Sequence, residues 1–156
     1  MRPLFWLGLV ALAACASAEK PAPAETAAGV EGLIREWSAA GADSRWDDLK
    51  ALYANDPEFH WIEQGRVAYA DYAAVAAGVD QIASTGATIK SAVDDINVTP
   101  LSADTASFRA HAAIGVATPD FSFDFDGAFS GVAVLRDGRW RFLQGHLSKA
   151  EAARQP

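Results

Sequence analysis

Hydrophobic and polar positions change their spacing several times along this chain, and each change marks an element. An apolar run from Leu4 to Ala14 gives way to an Ala- and Pro-rich stretch, 19–27, that reads as a flexible tether. Val30, Leu33, Ile34 and Trp37 then fall at i, i+3, i+4 and i+7, one face of a helix that Gly41 ends. Ser44-Arg-Trp-Asp47 has the spacing of a capping box and opens a second helix bearing Trp46, Leu49, Leu52 and Tyr53, stopped by Asp56-Pro57. Glu58–Ile62 reads as a short strand closed by Gln64-Gly65, and a third helix from about Ala70 sets Tyr72, Val75, Val79 and Ile82 on one face.

Past Thr85-Gly86 the period becomes two. Long strands are expected over 88–100, 105–117 and 121–136, and Asp137-Gly138, a type I′ hairpin signal, leads into a last strand over 139–146. Gly115, Gly127 and Gly131 are the expected bends or bulges. Helices first and an antiparallel meander afterwards make an α+β domain, with three N-terminal helices packed on one face of a strongly curved, mostly antiparallel sheet. The domain is expected over 28–150, with 151–156 as a disordered tail.

Charge and cysteine usage narrow the picture. Thirteen Lys and Arg face 20 Asp and Glu, a net charge of −7 without a basic cluster, which argues against nucleic acid as a partner. Cys15 is the only cysteine, so disulfides within the chain and thiolate metal sites are excluded. One cation, a short apolar core and small residues make residues 1–18 a secretory signal. The run is too short for a spanning helix, which needs about 20 apolar residues. Leu12-Ala-Ala-Cys15 resembles the lipobox of bacterial lipoproteins, in which the cysteine is acylated and becomes the mature N-terminus. Ala16-Ser-Ala18 is a competing cleavage site whose use leaves a soluble periplasmic protein. Ala16 after the cysteine, in place of Asp, points by the same resemblance to the outer membrane.

The order of elements, with Gly138-Arg-Trp-Arg-Phe142 and then Gly145-His-Leu-Ser148 in the last strand, resembles the SnoaL-like branch of the nuclear transport factor 2-like superfamily. Ala51-Leu-Tyr-Ala-Asn-Asp56 before a short strand and Asp104-Thr-Ala106 opening a long one are similar to it as well, and the resemblance covers about residues 28–149. It implies a cone-shaped half-barrel with a largely apolar pocket between helices and sheet, and homodimers through the sheet. In the superfamily's ketosteroid isomerases a tyrosine donor lies on the first helix and an aspartate base on the first strand. Aligned without gaps, those positions fall on Trp37 and Trp61, which disfavours steroid-type isomerisation because an indole cannot accept a proton.

Strand alternation supplies the other candidates. Ser107, Arg109 and His111 share one strand face; Trp140, Phe142, Gln144 and His146 share another, with His146 expected at the pocket mouth. In Phe121-Ser-Phe-Asp-Phe-Asp126 the acids are expected to face water, because burying unpaired carboxylates is costly. The expected function is a lipid-anchored, periplasmic module that binds a small apolar ligand or a partner, with Trp37, Tyr53, Trp61, Phe123, Trp140 and His146 as the pocket wall. The alternative is a small lyase or isomerase working through His111 or His146 with Asp124 or Asp95, since histidine dyads with an aspartate serve superfamily dehydratases. No cofactor and no metal is expected: His60, His111 and His146 form no short-spaced pair, and no nucleophile elbow or phosphate loop occurs.

Overall fold

A computed structural model describes residues 21–150. The leader, Cys15 and the tail 151–156 lie outside the described residues. Helix α1 (Pro23–Ala42) is followed by α2 (Trp46–Ala51), strands β1 (His60–Glu63) and β2 (Arg66–Tyr69), α3 (Tyr72–Ser84), then β3 (Thr88–Pro100), β4 (Thr105–Ala117), β5 (Ser122–Arg136) and β6 (Arg139–Lys149). The six strands form one curved, unclosed sheet in the order β2-β1-β6-β5-β4-β3, antiparallel except where β1 runs parallel to β6. The helices cover one face of it.

The long strands begin and end close to where the change of period places them, and Asp137 (φ 52°) and Gly138 (φ 73°) make the expected I′ turn between β5 and β6. Four features differ from the sequence reading. The stretch taken as tether is helical from Pro23 onward: proline presets φ at the first helical position, and the Glu25 carboxylate accepts the Ala22 N–H at 2.9 Å. Ser44 has φ 57°, a left-handed backbone, and does not cap α2; Arg45 takes the N-cap position and ties Glu36 (2.6 Å) and Asp48 (2.9 Å) to the helix start. Strand β2 was not expected, because its single turn of Gln64 (φ 50°) and Gly65 (φ 75°) returns a short, mostly exposed segment, Arg66–Tyr69, that has little apolar pattern to read.

The fourth difference matters most for function. The bulges fall between Asp94 and Asn97 in β3, where Asp95 has φ 48°, at Leu143 in β6 and at Ala68 in β2, while pairing runs without interruption through Gly115, Gly127 and Gly131. On β6, Ala133 pairs with Phe142 but Val132 pairs with Gln144, so Leu143 is the extra residue. A one-residue insertion reverses the alternation beyond it. Trp140 and Phe142 therefore face the helices, whereas Gln144 and His146 are turned to the opposite face and Gly145 and Leu147 take their places inside.

The core is unusually aromatic. Phe59, Trp61, Phe129 and Phe142 are at most 2% exposed, and Val30, Leu33 and Ile34 of α1 pack on them as the helical pattern requires. The Ser38 and Ser91 hydroxyls meet at 2.8 Å and pin α1 to β3.

Candidate functional site

Between the helices and the sheet face they cover lies a cavity of about 390 Å³, lined from β1 and β2 at one edge of the sheet to Ile89 and Ser91 of β3 at the other. Trp37 comes from the last turns of α1, Tyr53 from the segment after α2, Trp61 and Glu63 from β1, and Tyr69 from β2. Val75, Val79 and Ile82 of α3 form one wall, and Ile114, Val116, Phe123 and Phe125 of the β4–β5 hairpin the other. Phe121 and Phe123, 61% and 44% exposed, stand at the mouth.

Each wall aromatic is fixed by a specific contact. The Trp37 indole N–H donates to the Tyr53 hydroxyl at 2.8 Å. The Tyr53 ring meets the Trp61 ring edge-on, with centroids 5.4 Å apart and planes at 86°. The six-membered ring of Trp61 sits against Gly145 of β6, where any side chain would collide with the indole, and the Tyr69 ring sits against Gly78 of α3. The Trp61 N–H donates to Glu63 Oε1 at 3.1 Å.

Glu63 is the site residue that the sequence reading missed. The alternation Phe59, Trp61, Glu63 was there to find it: a carboxyl two residues beyond a buried tryptophan falls on the same strand face. Burial pushes its carboxyl above the ordinary range, partly opposed by the hydrogen bond from Trp61. Burial also raises the Tyr69 phenol, with the nearby Glu63 charge adding to it, and raises the Tyr53 phenol against the hydrogen bond from Trp37. The two positions aligned with an isomerase donor and base are thus tryptophans facing the cavity, and an acid enters from the next inward position.

Of the expected pocket wall, Trp37, Tyr53, Trp61 and Phe123 line this cavity, and Trp140 and His146 do not. Trp140 packs on Gly29 at the opposite end of α1, about 12 Å of helix from Trp37. His146 is carried to the outer face by the Leu143 bulge. The residues of the enzymatic alternative are also outside: His111, Asp124 and Asp95 sit on the outer sheet face or the edge strand, so no histidine shares the cavity with a carboxylate. His111 meets Asp94 Oδ1 through Nδ1 at 2.9 Å and Asp126 Oδ1 through Nε2 at 3.3 Å. Both ring nitrogens face carboxylate oxygens, an arrangement that favours the imidazolium. The hydrogen bonds that the ring donates to Asp126 and Asp94 accordingly raise its pKa. The acids of Phe121–Asp126 point to water, as their burial cost requires. Among the described residues no cluster suited to a metal ion is found, and no helix is long and apolar enough to cross a membrane.

Three helices on one face of a bent, open, mostly antiparallel sheet, with an apolar cavity between the layers, define the nuclear transport factor 2-like class. Residues 30–152 match the SnoaL-like domain, and the chain belongs to that family. Solved structures of similar fold include a candidate dehydratase of the same class from Streptomyces avermitilis (TM-score 0.71, 15% identity, covering 83% of this chain and 100% of that one). A candidate aromatic ring hydroxylase from Novosphingobium aromaticivorans is also similar (TM-score 0.70, 13% identity, 85% and 94% covered). So is a candidate scytalone dehydratase from the same organism (TM-score 0.69, 16% identity, 80% and 83% covered). Among curated proteins, none matches the sequence significantly. At these identities the likeness is one of fold.

Proposed function

We propose that this protein is an exported, lipid-anchored module that binds a small, largely apolar molecule in the cavity between Trp37, Trp61 and the β4–β5 hairpin. The observation that carries the reading is the cavity itself: about 390 Å³ that the core aromatics leave unfilled, within the usual range of ligand pockets and walled mainly by apolar side chains. Membership of a family built around such pockets agrees with it. Export and anchoring rest on the leader sequence and the Leu12-Ala-Ala-Cys15 motif.

Filling the cavity tests the binding reading. Ile114 points into it from β4, so Ile114→Trp places an indole in the empty volume with little cost to the surrounding packing. The expected result is a retained melting temperature and the loss of saturable binding of an apolar fluorescent probe such as N-phenyl-1-naphthylamine; Val116→Trp, nearer the mouth, serves as a second filler. Unchanged probe binding in both variants would mean that the cavity is not the binding site. The anchor has its own measurement: cells fed a palmitate analogue should label the wild type and not Cys15→Ser, and label surviving the substitution rejects the acylated cysteine.

A further inference from the structure

The cavity carries one carboxyl and, among its lining residues, no Lys, Arg or His to pair with it. Glu63 Oε1 accepts the Trp61 N–H, and among the described residues no donor meets Oε2. Glu63 is half-buried and lines the cavity, with Oε2 accessible rather than sealed in, so the carboxyl is partly desolvated by apolar walls and open to a ligand group that pairs with it. Two kinds of group would do so: a cation that pairs with the carboxylate, or a neutral acceptor that receives a hydrogen bond from the O–H of the carboxylic acid.

We infer that the cavity selects an amphiphilic amine, an apolar body bearing one ammonium group that pairs with Glu63 beside the rings of Trp61 and Tyr69. The inference deepens the binding reading and rests on it. Three observations favour the cation over the neutral acceptor. The Trp61 hydrogen bond supports the ionised form of Glu63. The neighbouring side chains, Trp37, Tyr53, Trp61 and Tyr69, present π-systems to which ammonium groups are attracted. The whole chain carries −7, so its field draws cations and repels anions. The titratable groups that face Glu63 are Tyr69 from β2 and Tyr53 from the segment after α2, both with raised pKa and neutral in the working range; α3 and β6 face the cavity with apolar side chains only.

Titration calorimetry of the full chain with two probes of the same shape tests this: 2-naphthylmethylamine, a cation, and 2-naphthylmethanol, its neutral counterpart. The amine is expected to bind about tenfold more tightly at neutral pH. That preference should vanish in Glu63→Gln, which keeps the shape and removes the charge, while the alcohol binds as before and shows that the pocket is intact. The amine should also weaken as pH falls through the titration of Glu63, because protonation removes its partner; a neutral acceptor held by the acid would strengthen instead. Equal or tighter binding of the alcohol, or an amine preference that survives Glu63→Gln, overturns the amine and leaves the pocket. Saturable binding of neither probe overturns both.

Discussion

Phe142→Ala is expected to destabilise the fold by about 3–5 kcal/mol, a large share of the about 5–15 kcal/mol available to a domain of this size. Phe142 is fully buried, and its ring is within 6.4 Å, centroid to centroid, of Trp37, Tyr53, Trp61, Phe108 and Phe129. Its backbone has a second role. The Phe142 N–H donates to the Leu52 carbonyl and its carbonyl accepts the Ala54 N–H, both at 2.8 Å, so the segment carrying Tyr53 is stitched to β6 at this residue. The rings around the deleted side chain hold one another in place and cannot collapse into the void, so the cost should fall in the upper part of the range. Thermal unfolding should show a melting temperature lower by about 10 °C or more. A drop of only a degree or two would mean that the cluster repacks, contrary to the rigidity argued for it.

Gly145→Val should cost about 3 kcal/mol through crowding rather than through a void. The position is paired on both sides, with Trp61 of β1 and with Gly131 of β5, so the strand cannot move away from a new side chain. The group in the way is the Trp61 indole, 2% exposed and tied to Glu63, Tyr53, Phe129 and Phe142. The indole lines the ligand cavity, so pushing it away from Gly145 takes up binding volume. The variant should therefore lose stability and apolar probe binding together. Trp61→Leu, which removes the obstructing ring, should restore much of the stability when combined with Gly145→Val. Denaturant unfolding of the two single variants and the double one measures the coupling, expected at about 1–3 kcal/mol. Strict additivity of the two costs would reject the contact as the cause.

How much of this site was legible beforehand follows from which residues depend on regular alternation. In β4 and β5 the period of two runs without a break, so Phe123 and the outward acids Asp124 and Asp126 are placed correctly from spacing alone. In β6 the same reasoning carries from Trp140 to Phe142 and then fails. Leu143 is an unremarkable residue, with no glycine or other mark of a bulge, and the strand partner that leaves it unpaired belongs to another element. His146 was lost from the site for that reason. Glu63 is legible in the register of β1, but the turn signal Gln64-Gly65 closes the strand pattern at Ile62, one residue short of it.

The sequence by itself determined the order of the three helices and the extent of the long strands β3–β5, because helical and strand periodicities are local properties of apolar spacing and the turn at Asp137-Gly138 is chosen by its own residues. With the family resemblance it also determined the class of fold. The tertiary structure alone decided which side chains share the cavity. Trp61 has its place only because Gly145 from a distant strand leaves room, Trp37 points inward with its N–H held by Tyr53, and the Leu143 bulge sends His146 away. These are contacts between segments far apart in the chain, and no local pattern carries the distance between them.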